Sequence, residues 1–118
     1  EFFNFMTETL FEKIIKKDIP ADVIYEDEKS IVIKDINPQA PIHLLIIPKK
    51  NITMLSSADE EDKEILGHLM LVAGKVSKIL KLDNTFNIVI NNGANAGQTV
   101  FHLHLHLLSG KSLNWLPA

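Results

Sequence analysis

Apolar and polar residues alternate through TVFHLHLHLL, residues 99–108, and this alternation predicts a half-buried strand. Successive side chains of a strand point to opposite faces of its sheet. One predicted face is apolar and consists of Phe101, Leu103, Leu105 and Leu107. The other carries three histidines, which are His102, His104 and His106. We therefore expect the leucines to pack on a core while the imidazoles line a surface or a cleft.

Similar patterns along the rest of the chain predict four more strands and two helices. The strands are DVIYED (22–27), SIVIKDI (30–36), IHLLIIP (42–48) and TFNIVINN (85–92). Short links between most neighbouring strands favour antiparallel pairing. The sequence thus predicts an α+β domain with a five-stranded antiparallel sheet and two helices.

Both helices begin at predicted capping boxes, in which a hydroxyl residue is followed three positions later by Glu. Thr9 and Glu12 cap a first helix over TLFEKIIKK (9–17), which Pro20 is expected to end. Ser57 and Glu60 are predicted to cap the second, longer helix. Its apolar stripe is Ile65, Leu69, Val72, Val76 and Ile79. His68 in this helix is interpreted as a surface histidine.

The length and composition of the chain restrict its class. A chain of 118 residues indicates one domain, predicted over residues 7–118 with a tail at 109–118, after an N-terminal extension at 1–6. The net charge of −3 and the absence of a basic block argue against a nucleic-acid partner. No apolar run reaches the ~20 residues of a membrane span. We expect a cytoplasmic location, with the nucleus as a second site.

The three histidines permit two kinds of chemistry. Histidines two apart on a strand are ~6.6 Å apart and the outer pair ~13 Å, so one zinc ion cannot bind all three. A metal site would need a distant ligand such as His43 or Asp35. A nucleophilic imidazole with two supporting neighbours uses the whole motif. The preceding loop NNGANAGQT (91–99) favours the second interpretation, since its glycines allow backbone amides to turn toward an anion.

Several blocks of the sequence resemble one family in order and spacing. HLHLHLL (102–108) fits the motif of the histidine-triad superfamily. DINPQAPIHLLIIPKK (35–50), LGHLM (66–70) and GQTVFHLHLHLL (97–108) are similar to its nucleotide-binding branch, once described as protein kinase C-interacting proteins. The resemblance extends from about Leu10 to Trp115 and implies a single α+β domain of that family.

The resemblance also implies an activity, that of a purine nucleoside phosphoramidase. Such an enzyme hydrolyses the P–N bond of adenosine 5′-phosphoramidates and releases AMP without a metal or cofactor. His104 would be the nucleophile and form a nucleotidyl-histidine. His102 and His106 would share phosphate binding, orientation and proton transfer, and His43 would support them from a neighbouring strand.

Further site residues follow from the same resemblance. Asp35 would bind the ribose hydroxyls. The phosphate-side loop would contribute Asn91, Gly97, Gln98 and Thr99, where threonine replaces the more usual serine. The apolar slot for the base would consist of Phe11, Ile14, Ile19, Ile33 and Ile36. Ile33 replaces an aromatic residue often found there.

The expected partners are purine nucleotides (AMP, GMP and their phosphoramidates) and a second copy of the chain. Gly67 and Gly74 lie on one side of the long helix, where they permit a close approach by another element, either the partner or the helix's own sheet. The resemblance implies a homodimer in which Trp115 reaches the partner's site. Three alternative functions remain: a dinucleoside polyphosphate hydrolase, a non-catalytic nucleotide- or kinase-binding regulator, and a zinc-binding regulator.

Overall fold

The computed structural model describes residues 8–112, which contain two helices and five strands. The helices are α1 (Leu10–Ile15) and α2 (Lys63–Ile79). The strands are β1 (Val23–Glu26), β2 (Ser30–Lys34), β3 (Ile42–Pro48), β4 (Asn87–Val89) and β5 (Leu105–Ser109). The predicted extension at 1–6 and the position of Trp115 lie outside the described residues.

All five strands form one antiparallel sheet in the order β1-β2-β3-β5-β4. This order confirms the predicted fold class. It also places β5, which carries the end of the histidine motif, between β3 and β4. His43 on β3 and His106 on β5 are therefore on adjacent strands, although 63 residues separate them in the sequence.

Each face of the sheet packs against its own group of apolar side chains. The larger group joins the sheet to α2 and includes Val32, Leu44, Ile46, Leu69, Val72, Val76, Leu103, Leu105 and Leu107. The smaller group joins the other face to α1 and consists of Phe11, Ile14, Ile31, Ile33, Leu45 and Ile47. The predicted leucine face is therefore confirmed at its three leucines, whereas Phe101 is 39% exposed.

The regular strand is shorter than the alternation predicts. β5 begins at Leu105, so His102 and His104 lie in an irregular segment before it. The last pair of the ladder with β3 is Ile46↔Leu105. Beyond it, the N–H of Leu103 donates to the carbonyl of Ile52 (2.6 Å) instead of continuing the ladder. Pro48 has no N–H to offer a longer ladder, which explains why regular pairing stops here.

Helix α1 begins at the predicted cap. Thr9 accepts from the N–H of Glu12 (3.1 Å), and the Glu12 carboxylate accepts from the N–H of Thr9 (2.8 Å). The helix ends at Ile15, well before Pro20, because Lys17 takes a left-handed conformation with φ of 67°. The expectation that Pro20 ends it was wrong.

The start of α2 also differs from the prediction. Ser57 closes a 3₁₀ turn at Leu55–Ser57, and the capping box is formed by Asp59 and Asp62 around a second turn at Glu60–Asp62. The Ser57 hydroxyl is directed back into its own turn rather than toward α2, since it accepts from the N–H of Met54 (3.1 Å) and donates to the Met54 carbonyl (2.8 Å). At the other end, Ile79 is 55% exposed rather than part of the buried stripe. Among residues 8–112, no helix is long and apolar enough to cross a membrane.

Candidate active site

A cleft of about 650 Å³ opens between α1, the end of β2 and the histidine segment. Two of its lining residues are imidazoles, His104 and His106. Seven others were predicted from the sequence, and they are Phe11, Ile14, Ile19, Ile33, Asp35, Ile36 and Thr99. The apolar residues form one wall beside the imidazoles, although Ile36 stands at the rim with 89% of its surface exposed. The cleft therefore combines an apolar slot with a polar, histidine-bearing end.

His104 has a defined tautomer. Its Nδ1 lies 2.8 Å from the backbone carbonyl of His102, and a carbonyl only accepts, so Nδ1 carries the proton. In the neutral ring, Nε2 then has a free lone pair. The edge of Phe11 packs against the ring, with centroids 4.9 Å apart. His104 is thus fixed as a neutral imidazole with one unprotonated nitrogen, which is the form that attacks an electrophile.

His102 is held differently from its neighbours, because its side chain is fully buried. Its Nε2–H donates to the Pro48 carbonyl (2.7 Å). Its Nδ1 is a buried nitrogen without a hydrogen-bond partner in the described part of the chain. The ring is therefore used for packing between β3 and the histidine segment, and it is the backbone carbonyl of His102 that orients His104.

His43 and His106 form a directed pair. The backbone N–H of Gln39 donates to Nδ1 of His43 (3.0 Å), so this nitrogen is unprotonated and the proton of the neutral ring is on Nε2. That Nε2–H donates to Nδ1 of His106, 2.9 Å away. Nδ1 of His106 is then the acceptor, which leaves Nε2–H of His106 as a donor. The tautomers of both rings therefore follow from one backbone N–H.

Asp35 lies beside this pair at the end of β2. One carboxylate oxygen, Oδ1, accepts from the N–H of Asn37 (2.8 Å). The other, Oδ2, is 3.3 Å from Nε2 of His43. The Asp35 side chain is 18% exposed where it lines the cleft, whereas that of His43 is 3% exposed. Asp35 therefore contacts both the histidine pair and the open cleft.

Burial lowers the pKa of each triad histidine, because charging an imidazole costs more away from water. The pKa of His104 falls below its ordinary value for this reason first, with a smaller opposing effect from the His102 carbonyl. Burial, together with the neighbouring rings of His104 and His43, lowers the pKa of His106 to about 4. All three rings are therefore neutral near pH 7, as the tautomers above require.

In the loop before the histidines, the amides of the two glycines and of both neighbours of Gly97 are bonded within the loop and do not face an anion. The amides of Ala96, Gly97 and Gln98 donate to carbonyls within the loop, and that of Gly93 donates to the Gln98 side chain. Gln98 is buried and also donates to the Thr53 and Val100 carbonyls. Asn91 donates to the Ala96 carbonyl (2.9 Å). Among the four predicted loop residues, Thr99 lines the cleft, while Asn91, Gly97 and Gln98 shape the loop behind it.

Among the described residues, Asp35, His43 and His106 form a cluster of possible metal ligands. Two nitrogens that bind one zinc ion tetrahedrally are ~3.3 Å apart, since each Zn–N bond is ~2.0–2.1 Å. Nε2 of His43 and Nδ1 of His106 are only 2.9 Å apart. Binding through Nε2 would also move the His43 proton to Nδ1, where it would face the N–H of Gln39. This cluster therefore does not fit a zinc ion.

Several residues that build the site were not identified from the sequence. Leu45 lines the cleft and lies on the His43 face of β3, so extending the period-two pattern from His43 would have found it. Pro48 acts through its backbone carbonyl, and Gln39 acts through its backbone N–H. Neither group depends on the side chain of the residue. No side-chain pattern in a sequence indicates such backbone roles.

Comparison with known proteins gives a consistent result. A family model described as the HIT domain matches residues 16–113. An uncharacterized HIT-like protein of Synechocystis sp. is 53% identical over 110 residues, which cover 93% of this chain and 96% of that protein. A protein of Zea mays named 14 kDa zinc-binding protein is 51% identical over 111 residues, covering 92% of this chain and 87% of that protein.

Solved structures agree with these sequence matches. A HIT family hydrolase from Legionella pneumophila has a TM-score of 0.89 and 41% identity, covering 92% of this chain and 98% of its own. A histidine triad nucleotide-binding protein from Candida albicans has a TM-score of 0.78 and 36% identity, covering 92% of this chain and 82% of its own. The resemblance stated from the sequence is thereby confirmed.

Proposed function

Because this chain belongs to the HIT-domain family, we propose that it is a purine nucleoside phosphoramidase that hydrolyses adenosine 5′-phosphoramidates. The observation that carries the proposal is the tautomer of His104. Its Nδ1–H is held by the His102 carbonyl at 2.8 Å, so the lone pair on Nε2 is free for attack beside the cleft. A site that only bound nucleotide would not require an imidazole held in this form.

The proposed reaction has two steps. Nε2 of His104 forms a bond to phosphorus while the P–N bond breaks, and the amine leaves with a proton taken from solvent. A water molecule then attacks the phosphorus of the nucleotidyl-histidine and returns a proton to solvent, which breaks the N–P bond and releases AMP with the neutral ring restored. The His102 carbonyl stabilises the cationic ring of the intermediate through Nδ1–H.

The other site residues have roles in this scheme. Nε2–H of His106 donates a hydrogen bond to the charge that develops on the phosphate or to the leaving amine. The apolar wall, which includes Phe11, Ile14 and Ile33, receives the purine base, and Thr99 contributes a hydroxyl on the phosphate side. Asp35 accepts from the ribose hydroxyls. GMP and its phosphoramidates fit the same slot, since apolar side chains contact either purine by its faces.

We include a homodimer in the proposal. A Cβ added at Gly67 or Gly74 would meet nothing within 4 Å, so these glycines do not serve packing against the chain's own sheet. Met70 and Leu71 beside them are 51% and 74% exposed, which leaves an apolar, flat helix face for a second copy. Trp115, outside the described residues, would then border the partner's site. We expect sedimentation to give a dimer at micromolar concentration, and truncation after residue 110 to change the preference among leaving amines.

The experiment that tests the activity is hydrolysis of a fluorogenic adenosine phosphoramidate, with and without a chelator. We expect turnover that a chelator leaves unchanged, and a nucleotidyl-protein that acid quenching traps in the first turnover. Diadenosine polyphosphate is the comparison substrate, because the same nucleophile would serve a polyphosphate hydrolase. Faster turnover of the polyphosphate would favour that alternative. Nucleotide binding without turnover would favour a regulator in the cytoplasm or nucleus, and activity lost on chelation and restored by zinc would favour the metal interpretation.

A further inference from the structure

Nε2–H of His43 has two acceptors within reach and one proton to donate. Nδ1 of His106 is 2.9 Å away and Oδ2 of Asp35 is 3.3 Å away. The N–H of Gln39 occupies the other nitrogen of His43, so the ring cannot supply a second proton without losing that bond. The carboxylate of Asp35 and the ring of His106 therefore compete for one N–H.

The competition matters because it controls the donor in the cleft. While Nδ1 of His106 accepts from His43, the proton of the neutral His106 ring remains on Nε2. If His43 turns its N–H toward Asp35, Nδ1 of His106 loses its partner and both the tautomer and the orientation of that ring are less restrained. A less restrained His106 ring lowers the rate, because the ring occupies the orientation needed for the reaction for a smaller fraction of the time.

Asp35 also lines the cleft beside the imidazoles, where the proposed function puts the ribose. Its Oδ1 is already held by the N–H of Asn37, so the backbone keeps the carboxylate in place. Hydroxyl groups that donate to Asp35 satisfy its negative charge and weaken it as an acceptor for His43. Ribose binding would then release the His43 N–H entirely to His106.

We propose that Asp35 is a positioning residue that couples ribose binding to the orientation of His106 through His43. The inference rests on the proposed function, because it needs a nucleotide in the cleft. It differs from simple ribose recognition in its consequence: the ribose hydroxyls raise the rate of the bound complex, and do not merely tighten binding. Interactions made equally in the bound and transition states change KM alone.

The test compares an adenosine 5′-phosphoramidate with its 2′,3′-dideoxy counterpart in four enzymes: the wild type, Asp35→Asn, His43→Ala and Asp18→Asn. In the wild type we expect the dideoxy substrate to lower kcat about tenfold or more, beyond its effect on KM. Asp35→Asn and His43→Ala should lower kcat on the ribose substrate and bring the two kcat values together. Asp18→Asn is the matched control, since this exposed carboxylate contacts Lys16 and lies outside the cleft, and it should keep the wild-type ratio.

A second measurement does not depend on turnover. In the wild-type protein, AMP should move the imidazole N–H resonance of His43, and 2′,3′-dideoxy-AMP should leave it near its unliganded position. Equal kcat for both substrates in the wild type, with a difference in KM alone, would overturn the coupling while leaving the phosphoramidase intact. A ratio unchanged in His43→Ala would do the same. Failure of both turnover and AMP binding would overturn the function itself, and the coupling with it.

Discussion

Two pairs of histidines each place one ring at the cleft, His104 or His106, and the chain holds the two pairs by different means. In the first pair, the ring protons of His102 and His104 are both donated to backbone carbonyls. In the second pair, His43 donates to His106. This pair meets the backbone only at Nδ1 of His43, which accepts from the N–H of Gln39. The first pair is therefore fixed by the main chain, whereas the second depends on side chains that a ligand can contact.

In the proposed reaction, this difference divides the work of the site. A nucleophile needs one unprotonated nitrogen, and in the neutral ring of His104 the bond to a carbonyl keeps the proton on Nδ1 and leaves Nε2 without one. A proton donor must respond to the charge that develops on the substrate, and a pair of imidazoles beside Asp35 permits such a response. Substitutions in each pair should therefore have different effects.

Replacing the proposed nucleophile should have the largest effect. His104→Ala is expected to lower kcat by roughly 10⁴-fold or more, because it removes the only nitrogen that forms the covalent intermediate in the proposed reaction. AMP binding and the melting temperature should change little, since Phe11 and the neighbouring strand remain in place. Steady-state kinetics and calorimetry check both expectations. Turnover near the wild-type rate in this variant would exclude the covalent mechanism.

Replacing the other carbonyl-bound ring should instead affect stability. His102→Leu leaves the Pro48 carbonyl buried without its donor, which costs about 1–3 kcal/mol of unfolding free energy. It also removes the unpartnered Nδ1, so the net loss should be at the lower end. The backbone carbonyl that orients His104 is unaffected, and kcat should fall by no more than a few fold.

His102→Gln provides the control for that variant. Its amide N–H can replace the Nε2–H donor to Pro48, so part of the lost stability should return in denaturant unfolding. A large loss of kcat in both variants, with unfolding free energies unchanged, would show that the His102 ring takes part in the chemistry.

The sequence predicted the parts of this arrangement that depend on local pattern. The leucine face of β5 follows from period two, and the cap of α1 follows from Thr9 and Glu12, which are three residues apart. Ser57 and Glu60 have the same spacing, yet the cap of the next turn is formed by Asp59, because Ser57 bonds to Met54 instead. Residue spacing identifies the side chains that can form a cap. Other hydrogen-bond partners near those side chains determine which of them does so.

What the sequence could not predict depends on contacts between distant segments. The bond from His102 to Pro48 joins positions 54 apart, and that from His43 to His106 joins positions 63 apart. The triad residues could be identified by type and their roles by resemblance. Their tautomers could not, because the backbone N–H of Gln39 and the backbone carbonyls of Pro48 and His102 fix them.

The lowered pKa values of the triad predict a direction for stability against pH. Burial and the neighbouring imidazoles lower the pKa of His106 to about 4, whereas an unfolded histidine has a pKa near 6.5. Between these values the unfolded chain binds more protons than the folded one, so the free energy of unfolding should fall as pH falls. Denaturant unfolding at pH 7 and pH 5 measures the difference. In His106→Gln the dependence over this interval should be shallower, and an identical slope would contradict the prediction.

The smallest effect is expected at Thr99, which lines the cleft but belongs to neither histidine pair. Thr99→Ala removes one hydroxyl contact to the phosphate side, and a single hydrogen bond of this kind contributes about 0.5–1.5 kcal/mol. This corresponds to a loss of kcat/KM by a few fold up to roughly tenfold. Thr99→Ser keeps the hydroxyl and should retain nearly full activity, which separates the hydroxyl from the methyl group. Loss of several orders of magnitude in Thr99→Ala alone would mean that the hydroxyl holds the transition state as strongly as the imidazoles do. Transition-state stabilisation would then not depend on the two histidine pairs alone, because Thr99 belongs to neither pair.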